Sequence, residues 1–300
     1  MTDIDETAAL VTLLRTSRGL AWHELARLVE EAGTAVGVLD RLPGEPQTLF
    51  DANEGTENDT ARQLEVAKRD VAEWEAEGLH VVTVLDSDYP ANLRSVYNRP
   101  PLLFIAGAVE TVDVKSVAVV GARKASDEGR ARAHRIAREL SESGYTIVSG
   151  LAEGIDTAAH RGAMEANGRT VAVIGTGLRR AYPAKNAELQ RHLIDEHAVI
   201  SQFWPDQPPT RQSFPMRNAT MSGLSLATIV VEASKTSGAR MQARLALEHG
   251  RPVFLLESLV REHEWAQAMS DRPGVYVVGS SGEVAGRIAS VNVLDPLVLS

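Results

Sequence analysis

Val117-Ala118-Val119-Val120-Gly121-Ala122-Arg123-Lys124-Ala125-Ser126-Asp127-Glu128-Gly129 reads as a strand, a tight turn and the start of a helix. The continuous apolar run is that of a strand buried on both faces. Gly121 permits a sharp turn, and Ser126 is of the type that caps a helix. Such a turn aims the first amides of its helix above the sheet edge, where a phosphate would be held. Arg123 and Lys124 place positive charge at the same spot.

Outward from this segment the pattern repeats. Apolar strands are predicted at Thr146–Ser149, Val171–Ile174, Ala198–Ser201, Ala227–Val231 and Val253–Leu256, most of them separated by helical stretches. Alternation of this kind predicts an α/β fold, a doubly wound, Rossmann-like and mostly parallel sheet, because parallel strands require crossover connections. Val275–Val278 and a helix from Ser281 to Ala289 extend it. Upstream, the apolar spacing from Ala8 to Leu39 predicts short helices interrupted at Ser17-Arg18-Gly19. A connection rich in Pro, Gly and Glu runs from Leu42 to Asn58, before a longer helix from Asp59 to Glu77. His80–Leu85 and Leu102–Gly107 read as strands around an Asp86–Pro90 turn.

The 300 residues carry no Cys, which removes disulfides, thiolate nucleophiles and cysteine zinc sites. No run is long and apolar enough to cross a bilayer, and the acidic start is unlike a secretion signal, so no membrane association and a cytoplasmic location are expected. The net charge of −9 is unevenly placed. Residues 1–110 hold 9 Lys+Arg against 20 Asp+Glu, whereas 115–256 hold 19 against 13. The α/β segment is therefore basic, and a phosphate ligand responds to that local potential.

The strand ends supply the candidate site, since ligands in open α/β sheets bind beyond the carboxyl ends of the strands. After the second strand come Gly150 and Gly154, with Asp156 read as locking the loop through backbone amides and His160 as a packing residue. After the third come Gly175, Gly177, Arg179, Arg180, Tyr182, Lys185 and Asn186, a mixture of cations and an aromatic suited to a nucleotide chain. The fourth connection adds Phe214-Pro215-Met216-Arg217-Asn218, and the fifth adds Glu232 and then Ser237, Gly238 and Arg240. The dinucleotide fingerprint fails, because Arg123 and Ser126 stand where its second and third glycines belong. The triphosphate loop is absent. No nucleophile–base pair, paired carboxylates or metal-ligand spacing stands out, so a binding protein without cofactor or metal is expected, and not an enzyme.

The segments VAVVGARKAS, IVSGLAEGIDTAAHRGA, VAVIGTGLRRAYPAKN, SFPMRNATMSGLS and VVEASKTSGARMQARLALEHGRPVF, in this order, resemble the DNA-processing protein A family, DprA or Smf. SDYPANLRSVYNRPPLLFIAG resembles the family's entry into its Rossmann-like domain. The resemblance implies a small N-terminal helical domain at 1–78, a Rossmann-like DNA-binding domain at 79–290 and a tail at 291–300, without the C-terminal winged-helix domain of many relatives. It further implies single-stranded DNA in a pocket on the rim, touched by Arg123, Lys185 and Arg217 with Asn218. A homodimer and a RecA-type recombinase partner, in transformation and recombination, are implied as well. Two rival readings stay open. One is a base-releasing hydrolase of nucleoside monophosphates with Glu232 as its acid; the other is a sensor of a small nucleotide.

Overall fold

The computed structural model describes residues 3–17, 19–41 and 55–292. Arg18, most of the Leu42–Asn58 connection and residues 293–300 of the expected tail lie outside the described residues. The chain divides into two compact units, Met1–Tyr89 with Tyr97–Ile105, and Pro90–Val96 with Ala106–Ser300. The strands β1 (Leu79–Thr83) and most of β2 (Leu102–Gly107) thus group with the N-terminal helices.

In the first unit, helices Ile4–Thr16, Trp22–Ala32, Ala35–Leu39 and Gly55–Ala76 bury Leu10, Leu13, Leu25 and Val29. Trp74 meets the Phe104 ring edge-on at 5.0 Å, and Arg99 pairs with Glu30. Helix Ala35–Leu39 is capped by Thr34, whose hydroxyl accepts from the Gly37 amide.

The second unit carries seven parallel strands: β3 (Ser116–Val120), β4 (Thr146–Ser149), β5 (Thr170–Val173), β6 (Ala198–Ser201), β7 (Ala227–Val230), β8 (Val253–Leu256) and β9 (Val275–Val278). β3 to β8 are buried throughout, as expected of Val- and Ile-rich strands covered on both faces. Their order, β6-β5-β4-β3-β7-β8-β9, reverses direction between β3 and β7. The chain steps away through β4 to β6, then returns to the other side of β3. Helices before and after this reversal cover opposite faces, and their loops diverge above the two strands to leave a crevice. Pairing of Val120 with Val230 brings both carboxyl ends to one level. The short helix Ala91–Arg94 also belongs to this unit, where the Asn92 amide donates to the Val114 and Leu224 carbonyls at 2.8 and 2.9 Å. Among the described residues no helix is long and apolar enough to cross a membrane.

Candidate functional site

The Gly121 loop lies at the β3/β7 reversal. A side chain at Gly121 would collide with Ile155 and the Glu232 carbonyl, so only glycine fits. The next residue pins the turn on both sides. The Ala122 amide donates to the Glu232 carbonyl at 2.6 Å, and the Ala122 carbonyl accepts from the Ile155 amide at 3.3 Å. Gly154, at φ +78°, lies against the carbonyls of Ala122 and Arg123. Arg123 and Lys124 project from this anchored loop and are exposed.

Ser126 caps helix Asp127–Glu142 as expected, its hydroxyl accepting from Gly129 N at 2.9 Å. The helix start is not left open for a ligand, however. Glu232 reaches across from the end of β7, and its Oε2 accepts the Ser126 hydroxyl at 2.6 Å while Oε1 accepts the Ser126 amide at 3.1 Å. The carboxylate holds the ground that a phosphate would take in a dinucleotide fold. Positive potential for a ligand therefore rests on Arg123 and Lys124.

Below the loop sits a buried charge pair. Arg217, on helix Ser213–Leu224, is 7% exposed, and its Nη1 donates to the carbonyls of Gly150 and Val173 at 2.7 and 2.9 Å. A Cβ at Gly150 would overlap this guanidinium. Asp156 accepts from the Ala152 amide at 3.3 Å, which supports its reading as a loop lock. Burial raises the Asp156 pKa and lowers that of Arg217, and each charge opposes the other's shift. Leu151 is held at φ 56° and is fully buried, a strained conformation for a branched residue that this network sustains. Arg217 is thus a cation in the floor of the site, where the sequence suggests one on its rim.

Beside it lies an aromatic wall. The Arg123 guanidinium stands 5.0 Å over the Phe214 ring, and the Tyr182 ring lies 5.8 Å from Phe214. Gly175 carries the edge of Phe214, which leaves no room for a Cβ. Tyr182 is 42% exposed and precedes a cis Pro183. Lys185 is exposed but ion-paired with Glu153. Asn186 points inward, its amide donating to the Leu151 carbonyl at 2.9 Å and to the Thr157 hydroxyl at 3.0 Å.

Three recesses meet at Arg123. A cleft of about 700 Å³ is lined by Gly121, Arg123, Lys124, Arg217, Asn218, Glu232, Ser237 and Gly238. A smaller one, about 70 Å³, is bounded by Arg123, Gly150, Gly175, Tyr182, Phe214 and Arg217. The third is a groove reaching Gly154, Lys185 and Asn186. The structure accordingly gathers most of the expected residues. Ser126 is bonded to the cleft-lining Glu232 and itself lines none of the three recesses. Asn218 lends its amide to the Gly238 carbonyl at 3.2 Å. Two expected residues take other roles. Gly177 is buried because the Trp204 and Pro205 carbonyls press on it, and Arg240 lies over Trp265 at 5.9 Å. Two relations lie beyond what the residues in line show: the packing of Phe214 against Arg123 and the tie between Glu232 and Ser126. An aromatic amid a polar stretch was the available signal for the first, and none marked the second. Among the described residues no group of three or more His, Asp or Glu could hold a metal ion.

A Rossmann-like sheet whose reversal point carries an anchored glycine loop, a buried arginine and exposed cations beside aromatics defines an α/β protein with a cation-lined crevice at its switch point. The chain belongs to the DNA recombination-mediator protein A family, whose sequence model matches residues 80–270. It is 41% identical over 174 residues to the DNA processing protein DprA of Streptococcus pneumoniae, covering 58% of this chain and 61% of that protein. It is 40% identical over 185 residues to the protein Smf of Escherichia coli, covering 61% and 50%. The matched region is thus less than two thirds of these relatives' length. The X-ray structure of the Streptococcus pneumoniae protein superposes with a TM-score of 0.66 at 28% identity, over 95% of this chain and 93% of that one. DNA processing protein A of Helicobacter pylori, whose structure addresses its single-stranded DNA binding mode, superposes at 0.63 with 23% identity, over 71% and 97%.

Proposed function

We propose that the cleft binds single-stranded DNA. The observation that carries this reading is the convergence of three recesses on one exposed arginine, Arg123, backed by Phe214 and flanked by the exposed Tyr182. Cations beside an exposed aromatic suit a strand whose phosphates are neutralised and whose bases stack. Arg123 and Lys124 contact phosphate, Tyr182 stacks on a base, and Arg217 supplies a fixed positive field from below. The Helicobacter pylori relative, described as binding single-stranded DNA, has the same fold, which supports the reading. In this reading the protein is a homodimer that shields the strand and passes it to a RecA-type recombinase in DNA uptake and recombination.

The reading assigns no catalysis. Of the two acids lining the cleft, Asp156 serves the loop and Glu232 has both oxygens engaged at Ser126. The cleft volume does suit a mononucleotide. Fluorescence anisotropy with a labelled oligothymidylate tests the proposal. Retention at low salt, a steep loss on adding salt, and a loss of tenfold or more in Arg123→Ala are expected. Failure to bind at low salt, or unchanged affinity in the variant, overturns it. Competition by thymidine monophosphate at equal concentration would favour the small-nucleotide reading.

A further inference from the structure

We propose that the groove between helices Asp127–Glu142 and Ile155–Glu165 continues the interface, as a track for the sugar-phosphate backbone of a strand leaving the cleft past Arg123. This inference rests on the reading of the cleft as a single-strand site. The groove, of about 600 Å³, is lined by Arg123, Arg130, His134, Thr157, Arg161 and Lys185. Arg123 lines it and the cleft alike, so the two recesses are continuous at one guanidinium.

The floor is built from closely packed backbone. A Cβ at Gly162 would strike the His134 carbonyl, so its absence lets the two helices come together. Gly154 performs the same service against the Arg123 carbonyl. The result is an open trough, suited to a flexible chain lying along it. Arg130 and His134 are four residues apart on one helix, Thr157 and Arg161 on the other, so each pair is spaced by about 6 Å along its axis. Arg130 on one helix, Arg161 on the other, and Arg123 and Lys185 give the groove separated cations, which fit an anion that repeats, whereas a compact phosphate is served by one cluster.

The acids that face these groups are Asp127 on Arg130, Glu153 on Lys185 and Glu165 on His134, the last at 3.0 Å. The Asp127 side chain is 97% exposed, and an ion pair so open to solvent is weak, so a phosphate can take its place. Arg161 is exposed and makes no ion pair among the described residues.

Anisotropy with oligothymidylates of about 6 and about 20 nucleotides tests the track, because a short strand fills the cleft alone. In the full chain carrying Arg130→Gln and Arg161→Gln, affinity for the shorter strand should stay within about twofold. Affinity for the longer one should fall about tenfold, with a salt slope smaller by about 1.4 for two lost phosphate contacts. Arg161→Glu alone, at a residue that holds nothing in place, should lower only the longer strand's affinity. Equal loss for both lengths, or no loss for the longer, overturns the track while leaving the cleft intact. Failure of the parent chain to bind either strand instead overturns the cleft reading and the track with it.

Discussion

Glu232 accepts the Ser126 hydroxyl at 2.6 Å and the Ser126 amide at 3.1 Å, joining the end of β7 to the helix that follows β3. The bond closes the reversal point with a carboxylate, within a cleft that also presents Arg123, Lys124 and the buried Arg217 with Asp156. A charge that repels phosphate is thereby placed where a dinucleotide fold would receive it. Glu232→Gln keeps an acceptor for Ser126 and removes the charge. We expect oligothymidylate affinity to rise several-fold at low salt and to converge with the parent at high salt, as screening predicts. Anisotropy titrations at two salt concentrations measure this, and unchanged or weaker binding would show that the carboxylate charge plays no repulsive part.

Arg123 and Arg217 should separate cleanly in stability. Arg217→Ala strips the Gly150 and Val173 carbonyls of their donor and leaves Asp156 buried without its opposing charge, a change that costs about 3–5 kcal/mol. Arg123→Ala removes an exposed group and should cost about 0.5 kcal/mol or less. Urea unfolding of both variants beside DNA binding decides the matter: the first should lose both properties and the second only binding.

Tyr182 tests the stacking contribution. Its ring is exposed and lies 5.8 Å from Phe214. Tyr182→Ala should weaken oligonucleotide binding by about 1–3 kcal/mol, and Tyr182→Phe should leave it nearly unchanged. An unaltered Tyr182→Ala affinity would remove the base-stacking role.

Gly154→Ala tests how far the loop depends on close packing. The residue sits at φ +78°, and its Cβ would meet the Ala122 and Arg123 carbonyls. A cost of about 1–3 kcal/mol is expected from the backbone alone. Because the clash displaces the Arg123 backbone, affinity should fall along with melting temperature.

Stability should also decline in mild acid through His160. The residue is fully buried, and its Nδ1–H donates at 2.7 Å to the Thr170 hydroxyl oxygen, whose own hydrogen goes to the Ile147 carbonyl. Burial and the charge of His197 push its pKa down to about 3. A folded value below the unfolded one means that the unfolded chain takes up the proton first. The stabilisation is therefore complete above about pH 6.5 and drains away as pH falls toward 3. Between about pH 7.5 and 5 this amounts to about 2 kcal/mol, read from urea unfolding at each pH. His160→Gln should remove that share of the acid-side loss and leave the part that His249, whose pKa burial lowers to about 4, contributes in the same direction.

The strands show how legible the fold is. β2, β4, β6, β8 and β9 have the bounds their apolar runs predict, and the others differ by a residue or two, because a continuous β-branched run between turn residues leaves little choice of conformation. The grouping of β1 and β2 with the N-terminal helices is not written in any local pattern. For the site, the glycines after β3, β4 and β5 and the cations near them could be read in line. Whether a given cation faces solvent could not, since burial depends on what packs above it. Arg217 lies on the floor because Gly150 makes room for it, and Lys185 pairs with a glutamate 32 positions earlier.

By itself, then, the order of residues determined the alternation of strands and helices, the glycine turn after β3 and the basic balance of residues 115–256, all properties of local spacing and composition. The tertiary structure alone decided that β7 returns beside β3, that Glu232 takes the Ser126 amide, and that Arg123 stands between cleft and groove with Phe214 beneath it. Those relations join residues about ninety to one hundred and ten positions apart, and only packing of the sheet brings such distant groups within hydrogen-bonding or stacking range.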